Sequence, residues 1–264
     1  MKKNKTLFVS LAISFVLMGY GVTLLAASSS AGQLSQDRVT IIDEGQTTRK
    51  QKEHGRLYNT YKGREKLIDK VAKEKGDIEV RMVTFPPFGG SVPSFDSNDS
   101  TDTFLRGISR DADAVVLGTI KDGTSHLTEN GTFVFTDYDF LVEEVIKQDS
   151  TAEIQANSNI TVTRPGGTIQ LKGRIVRAKD VSFNSFEPER RYVLFLKRIS
   201  STGAYRAFRS GSFEMHNNKV SSLMKEKSSL VLQDRYTEAS FITKVHNAVD
   251  FARQDGHSVA IRLY

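Results

Sequence analysis

The sequence predicts a mainly β fold (α+β), a small closed barrel followed by a C-terminal helix, and three observations lead to it. Short apolar segments separated by turn residues recur from residue 103 to residue 220. The longest of these segments changes its alternation of side chains partway along. A regular apolar stripe follows near the C-terminus. The chain of 264 residues has no cysteine, so packing alone must hold this fold together.

The long strand predicted over residues 132–147 supplies the evidence for a barrel. Its first half places alternate residues on one face: Val134, Thr136, Tyr138, Phe140 and Val142. After Glu143 and Glu144 the apolar residues continue at Val145 and Ile146, so the alternation slips. A slip of this kind indicates a β-bulge, which bends a strand. Strongly bent strands are what a small closed barrel requires.

The other elements of the domain surround this strand. The predicted elements are a short helix at 103–109, a buried strand at 113–120, a polar loop at 121–131, strands at 159–164, 168–178, 192–196 and 204–208, a hairpin at 213–220 that turns at Asn217 and Asn218, a helix at 237–253 with Thr237 as its N-cap, and an edge strand at 257–264. Residues 103–264 are therefore predicted to form one barrel-like domain.

The chain begins with a segment typical of export. Residues 7–27 carry no charge and follow three lysines, Lys2, Lys3 and Lys5. At helical rise this segment spans roughly 31 Å, which is about the thickness of a bilayer core. Residues 1–31 are thus predicted to be a signal peptide or membrane anchor, with the lysines cytoplasmic and the rest of the chain outside. A cleaved, secreted form is the alternative.

Residues 32–102 are predicted to form a spacer. This region is polar, with one amphipathic helix at 56–75 and a short strand at 77–83. A linker rich in Pro, Gly, Ser and Asp follows at 84–102.

Composition limits the classes of partner. Without the three leader lysines, 34 basic side chains face 31 acidic ones, a net charge near +3. This near balance gives little reason to expect nucleic-acid binding. An exported chain without cysteine indicates a bacterial envelope rather than a eukaryotic secretory route.

Part of the domain resembles known proteins. The relevant segments are 112–119 (ADAVVLGT), 138–147 (YxFxVEEVIK), 160–167 (ITVxRPGG), 191–196 (RYVLFL) and 211–213 (GSF). They resemble a group of uncharacterised exported bacterial proteins, and their order is similar to that of OB-type barrels, including netrin-like and metalloprotease-inhibitor domains. The resemblance implies an OB-like barrel, and an inhibitor-like domain is one functional hypothesis. Those inhibitors use an N-terminal cysteine, which this chain lacks, so that mechanism does not carry over.

Motifs for common chemistries are missing from the sequence. The five histidines lack zinc-ligand spacing, and there is neither a Gly-x-Ser-x-Gly elbow nor a phosphate-binding Gly-Lys-Ser/Thr loop. No catalytic, cofactor-binding or metal-binding residue is therefore assigned, and no cofactor is expected. Asp137 and Asp139 share one face of the long strand, with Glu143 further along. Such a pair of carboxylates could hydrolyse an envelope polymer, which is the enzyme hypothesis.

A basic cluster offers a second kind of site. Its members bracket the strand at 192–196: Arg190, Arg191, Lys197 and Arg198, with Tyr205 and Arg206 nearby. Basic residues interleaved with aromatics on a barrel suit an anionic polymer. The main hypothesis is a non-catalytic, membrane-tethered module for binding or assembly in a bacterial envelope. Its expected partner is an envelope protein or an anionic polysaccharide.

Overall fold

The computed structural model describes residues 40–41, 48–58, 65–82, 101–150, 153–225 and 236–261. All of them belong to one compact unit, Arg38–Tyr264. The elements of these ranges are, in chain order, β1 (Thr40–Ile41), α1 (Arg49–Leu57), α2 (Leu67–Lys73), β2 (Ile78–Met82), α3 (Thr101–Asp111), β3 (Ala114–Leu127), β4 (Val134–Gln148), β5 (Asn159–Pro165), β6 (Gly167–Leu171), β7 (Arg174–Asp180), β8 (Arg191–Arg198), β9 (Tyr205–His216), β10 (Lys219–Ser222) and α4 (Glu238–Ile261).

Five strands close into a barrel. Strands β3, β4 and β5 form an antiparallel meander, β5 pairs in parallel with β9, and β9 pairs with β8, which returns to β3. Numbered within the barrel, the closed order is 1-2-3-5-4-1, the Greek-key order of an OB-type barrel. The predicted fold class is therefore confirmed, including the barrel and the C-terminal helix.

Bulges bend the two longest strands, and the sequence predicted a bulge on one of them, β4. The pairing of β3 with β4 skips Glu143 and Ile146 on β4 and Lys121 on β3. Each extra residue increases the local coiling that lets a strand curve around a small barrel. Gly118 lies beside the first bulge, where a Cβ atom would stand 2.1 Å from the Leu141 carbonyl oxygen and 2.7 Å from the Phe140 ring. The barrel wall therefore has room for no side chain there.

Two helices cover one outer side of the barrel. Helix α3 contributes Phe104, Leu105 and Ile108 to this layer, and α4 contributes Phe241 and Val245. They pack against outward residues of the barrel strands and of β10, namely Val115, Leu117, Ile146, Val193, Phe195, Phe213, Met215 and Val220. The predicted N-cap of α4 is confirmed, because the Ser240 backbone N–H donates to the Thr237 hydroxyl over 3.3 Å.

A second sheet joins the barrel to the N-terminal elements. The hairpin β6–β7 leaves the barrel after β5, and β1 and β2 add to its two edges in parallel. A third apolar cluster lies between this sheet, the first two helices and the β3–β4 turn: Tyr58, Leu67, Val71, Ile78, Phe133, Val134, Phe135, Ile169, Leu171, Val176 and Ala178. Residues 48–58 and 65–82, which the sequence assigned to a spacer, are therefore packed parts of this compact unit.

Three local predictions are wrong. The single helix expected at 56–75 is replaced by two, because α1 ends at Leu57 and α2 begins at Leu67. Residues 121–127, expected in a polar loop, continue β3, because their backbone pairs with β4 as far as Leu127 opposite Val134. Residues 257–261, expected in an edge strand, extend α4 instead.

The predicted leader at 1–31 and most of the linker, residues 84–100, lie outside the described residues. Within the described ranges, no helix combines the length and apolar character that a membrane crossing requires.

An arginine lies inside the barrel wall at the end of β5. Arg164 is 5% exposed, donates to the Ala207 carbonyl over 3.1 Å and stacks over the Phe183 ring at 3.6 Å. Its Nε and Nη2 atoms are buried without a hydrogen-bond partner. Burial lowers the pKa of the Arg164 guanidinium to about 10, against smaller opposing effects from Tyr58 and Asp180.

We expect Gly118→Ala to lower the free energy of unfolding by about 3 kcal/mol, because the new methyl group meets a backbone carbonyl that is fixed in the barrel wall. Urea denaturation followed by circular dichroism measures this change. The control is Lys121→Ala on the same strand, which removes only the exposed ion pair with Glu189 and is expected to cost less than about 1 kcal/mol. Equal costs for the two variants would contradict the steric explanation.

Arg164→Met is expected to change the free energy of unfolding by less than about 1 kcal/mol, because the lost hydrogen bond is offset by relief from burying a charge. Arg164→Ala should cost about 2 to 3 kcal/mol, since it leaves a cavity. The same denaturation assay compares both. A loss for Arg164→Met as large as that for Arg164→Ala would show that the charge itself stabilises the fold.

Candidate functional site

The barrel order indicates where a ligand surface lies. OB-type barrels bind ligands on the face of their second and third strands, between the loops that join strands one to two and four to five. In this chain those parts are β4, β5, the turn at 128–133 and the loop at 199–204. We call these four parts together the barrel face.

Helix α1 lies across the barrel face and contacts each of its four parts. His54 bonds Asp137 on β4 and Thr202 in the second loop. The Tyr58 hydroxyl, just after the helix, donates to Thr163 on β5 over 3.4 Å. Arg56 pairs with Glu129 in the β3–β4 turn at 3.3 Å. The helix therefore occupies the position that a ligand takes in this class of barrel.

His54 forms the centre of a buried polar relay. Its Nδ1 lies 2.9 Å from Asp137 Oδ2, and its Nε2 lies 2.8 Å from Thr202 Oγ1. The carboxylate accepts, so Nδ1 carries the proton, and in the neutral ring Nε2 accepts from the Thr202 hydroxyl. The hydroxyl also receives the Ala204 backbone N–H at 3.4 Å, which leaves its own proton to donate. The imidazole is 2% exposed.

A second histidine is held in a defined tautomer beside this relay. The Gln51 side-chain oxygen accepts the Thr48 backbone N–H at 2.7 Å as part of a capping box. The Gln51 amide nitrogen therefore faces His126 Nε2, 3.2 Å away, and donates to it. His126 Nε2 is then an acceptor, and the ring is neutral. The same atom lies 3.9 Å from Asp137 Oδ2.

Aromatic packing fixes the end of the helix. The Tyr58 ring stacks on Phe135 with centroids 5.6 Å apart. Gly55 lets the helix approach this ring, since a Cβ atom there would lie 3.3 Å from Phe135. Burial raises the pKa of the Tyr58 hydroxyl to about 12, with smaller opposite effects from Thr163 and nearby arginines. The hydroxyl is therefore a neutral donor at ordinary pH.

The relay has the order of a nucleophile, a base and an orienting carboxylate, a set that can activate a hydroxyl. Its geometry here favours a structural role. The imidazole is buried between α1 and the barrel, and the second oxygen of Asp137 is buried without a hydrogen-bond partner. Among the described residues, a cavity of about 180 Å³ lies away from the relay, beside α2 and β2. Its lining residues are Glu65, Leu67, Lys70, Val80 and Thr132. The relay thus holds α1 on the barrel.

The two carboxylates of the enzyme hypothesis lie in different surroundings. Asp137 is largely covered and bonded to His54, with 14% of its side chain exposed. Asp139 is exposed on the uncovered part of β4, and Asp122 is its neighbour across the strand pair. Glu143 pairs with Arg191 at 2.7 Å. None of the three lines the described cavity.

The basic side chains around β8 form ion pairs with neighbouring carboxylates. Arg190 lies within 4 Å of both Glu187 and Glu214, and Arg191 pairs with Glu143 and Glu238. Lys197 pairs with Asp113, whose other oxygen accepts the Arg198 backbone N–H. Tyr205 is buried, and burial lowers the pKa of the Arg206 guanidinium. Much of the positive charge noted in the sequence is thus neutralised by neighbouring carboxylates.

The residues of this site that sequence reasoning missed are His54, His126, Gln51 and Thr202. His54 and its partners are 83 and 148 positions apart along the chain, so no spacing pattern could connect them. The Thr48–Gln51 capping box was the one local signal that a helix begins here. Among the described residues, no group of three or more His, Asp or Glu side chains is arranged to hold a metal ion.

Comparison with known proteins gives no family for this chain. Neither a protein-family model nor a curated protein matches it. The resemblance to exported bacterial barrel proteins therefore stays a prediction from sequence motifs.

We expect His54→Ala to lower the free energy of unfolding by about 3 kcal/mol, because the buried Asp137 carboxylate loses its donor. Asp137→Ala should be similar. The double variant should cost about 2 kcal/mol less than the sum of the single variants, since it removes both partners. Urea denaturation of the four proteins measures this coupling. Additive losses would contradict the relay, and Arg56→Ala, an exposed pair, serves as a control of small effect.

Proposed function

We propose that this chain is a non-catalytic binding or assembly module of a bacterial envelope, exported and tethered by its N-terminal segment. The observation that carries the proposal is the strand order of the barrel. That order belongs to an architecture whose recurrent use is binding on one face. The relay found on this face is engaged in holding α1.

The uncovered part of the barrel face favours a protein partner. This strip lies beyond α1 on β4 and β5, where Asp139 is paired across the strands with Thr161, and Leu141 with Asn159. Asp139 is exposed, and the neighbouring Asp122 adds a second acid. Acidic side chains repel a polyanion and suit a surface carrying lysine or arginine. The basic side chains around β8 are already paired with carboxylates, which leaves less positive charge for a polyanion. A cationic envelope protein therefore fits better than an anionic polysaccharide.

The N-terminal segment supports the place of action. Residues 7–27 are long enough to span a bilayer core, and three lysines precede them. Tethering would keep the barrel face close to proteins of the same membrane, which raises their effective concentration. Intact-mass measurement of the protein from membranes distinguishes the tethered form from a cleaved, secreted one.

Photo-crosslinking tests the binding surface. We expect full-length protein with benzoylphenylalanine at Thr161 to form protease-sensitive adducts with envelope components in cells, because Thr161 lies on this strip opposite the exposed Asp139. The same probe at Asn247, exposed on α4, should give none. Asp139→Lys should weaken the adduct about tenfold, since it places like charges together. Asp250→Lys, a charge reversal on α4, is the matched control.

Two outcomes would contradict the proposal. Adducts that are equal at Thr161 and Asn247 would remove the barrel face as the binding surface. Adducts that survive protease but disappear with a polysaccharide hydrolase would replace the protein partner with a polymer.

A further inference from the structure

Helix α1 covers the barrel face through polar contacts. Its exposed side chains are mainly charged, its buried members are His54 and Gly55, and its one apolar side chain, Leu57, packs against the third apolar cluster. The aromatic contact comes from Tyr58 at its end, which stacks on Phe135. A helix held by few apolar contacts and several hydrogen bonds depends on the protonation state of its partners. Of the two histidines at this surface, His126 is the one whose protonation the surrounding hydrogen bonds oppose most directly.

Among the described residues, a proton on His126 Nε2 has no acceptor within hydrogen-bond distance, since Asp137 Oδ2 is 3.9 Å away. The ring nitrogen faces the Gln51 amide nitrogen, and the capping box with Thr48 fixes that amide. Protonation would place two N–H groups against each other, which removes a hydrogen bond and leaves both donors opposed. His54 differs, because a proton on its Nε2 could still donate to the Thr202 hydroxyl.

The environment of His126 also disfavours its protonated form. Burial lowers the pKa of His126; the attraction of Asp137 opposes that change, and the nearby His54 adds to it. The other charged groups at this surface are Glu53 and Arg56 on α1, Glu129 in the turn, Arg164 on β5 and Arg206 on β9. In the loop at 199–204 the Thr202 hydroxyl bonds His54, and no residue of this loop is charged. Asp137 is thus the carboxylate close to both imidazoles, those of His54 and His126. Two arginines, Arg164 and Arg206, lie near Tyr58.

The sign of the pH effect follows from these facts. A histidine whose pKa is lowered in the closed state binds protons more readily once α1 has left the face. The closed state is therefore fully favoured above the ordinary histidine value of about 6.5 and loses stability as the pH falls below it. Closure is lost progressively down to the lowered pKa of the closed form.

We propose that α1 is a proton-sensitive latch over the barrel face, with His126 as its sensor and the His54–Asp137 bond as the contact that holds it closed. The latch rests on the proposed function, because the surface that α1 covers adjoins the strip where the partner is proposed to bind. At neutral pH α1 closes the β4–β5 surface around Asp137 and Thr163. At mildly acidic pH the helix leaves, and this surface becomes available.

Spin-label distances measure the latch without any ligand. The chain has no cysteine, so Lys52→Cys on α1 and Ser200→Cys in the opposite loop, both exposed, can be labelled selectively in the full-length protein in detergent. We expect one short distance at about pH 7.5 and a longer, broader distribution at about pH 5. A control pair, Asn159→Cys on β5 and Asn247→Cys on α4, should not change, because the barrel stays folded.

Variants of the two histidines identify the sensor. In the labelled background, His126→Gln should keep the short distance at both pH values, since a glutamine oxygen can accept from Gln51 but cannot be protonated. His54→Gln should open more readily than the unaltered chain and still respond to pH. An unchanged distance at about pH 5, or a full response in His126→Gln, would overturn the latch. Because no partner is added, this result is independent of the crosslinking experiment.

Discussion

Closure of the five-stranded barrel is the constraint on which the other features depend. Strand β3 must pair with β4 on one side and β8 on the other, so both β3 and β4 have to curve along their length. The bulged residues provide that curvature, and the absence of a side chain at Gly118 lets the Phe140 ring and the β4 backbone come close. Once the wall is closed, each strand has an inner and an outer face, and the outer faces define where the helices and the hairpin can pack.

Helices cover the barrel in two different ways. Helices α3 and α4 bury large aromatic and aliphatic side chains against it, including Phe104 and Phe241, which are almost fully buried. Helix α1 is held on β4, β5 and the adjoining loops largely by hydrogen bonds. Apolar burial is insensitive to pH, whereas hydrogen bonds to titratable groups are not. The molecule thus combines a permanent cover with one that responds to its surroundings.

Sequence patterns predicted the barrel because its signals are local. The slip after Glu143 marked the bulge, and Asn217 and Asn218 marked the last hairpin, where both adopt positive φ angles of 52° and 59°. The full length of β3 was missed because polar residues such as Lys121 and Asp122 occupy its C-terminal half. The polar relay was missed because its members are brought together only by the closed barrel. Asp137 was identified as a candidate for its chemistry, but its partner His54 lay in a region interpreted as a spacer.

The parallel pairing of β2 with β7 has a consequence for the order of folding. Ile78 pairs with Val176, and the neighbouring Arg174 side chain binds the Gly76 carbonyl, 98 positions earlier. During synthesis the early strand leaves the ribosome long before its partner exists. Pairing between distant segments forms slowly, and an unpaired strand is open to wrong contacts. The barrel strands β3 to β5 lie between them and can assemble first, so the N-terminal part of the unit is expected to complete its structure last, on a scaffold already made.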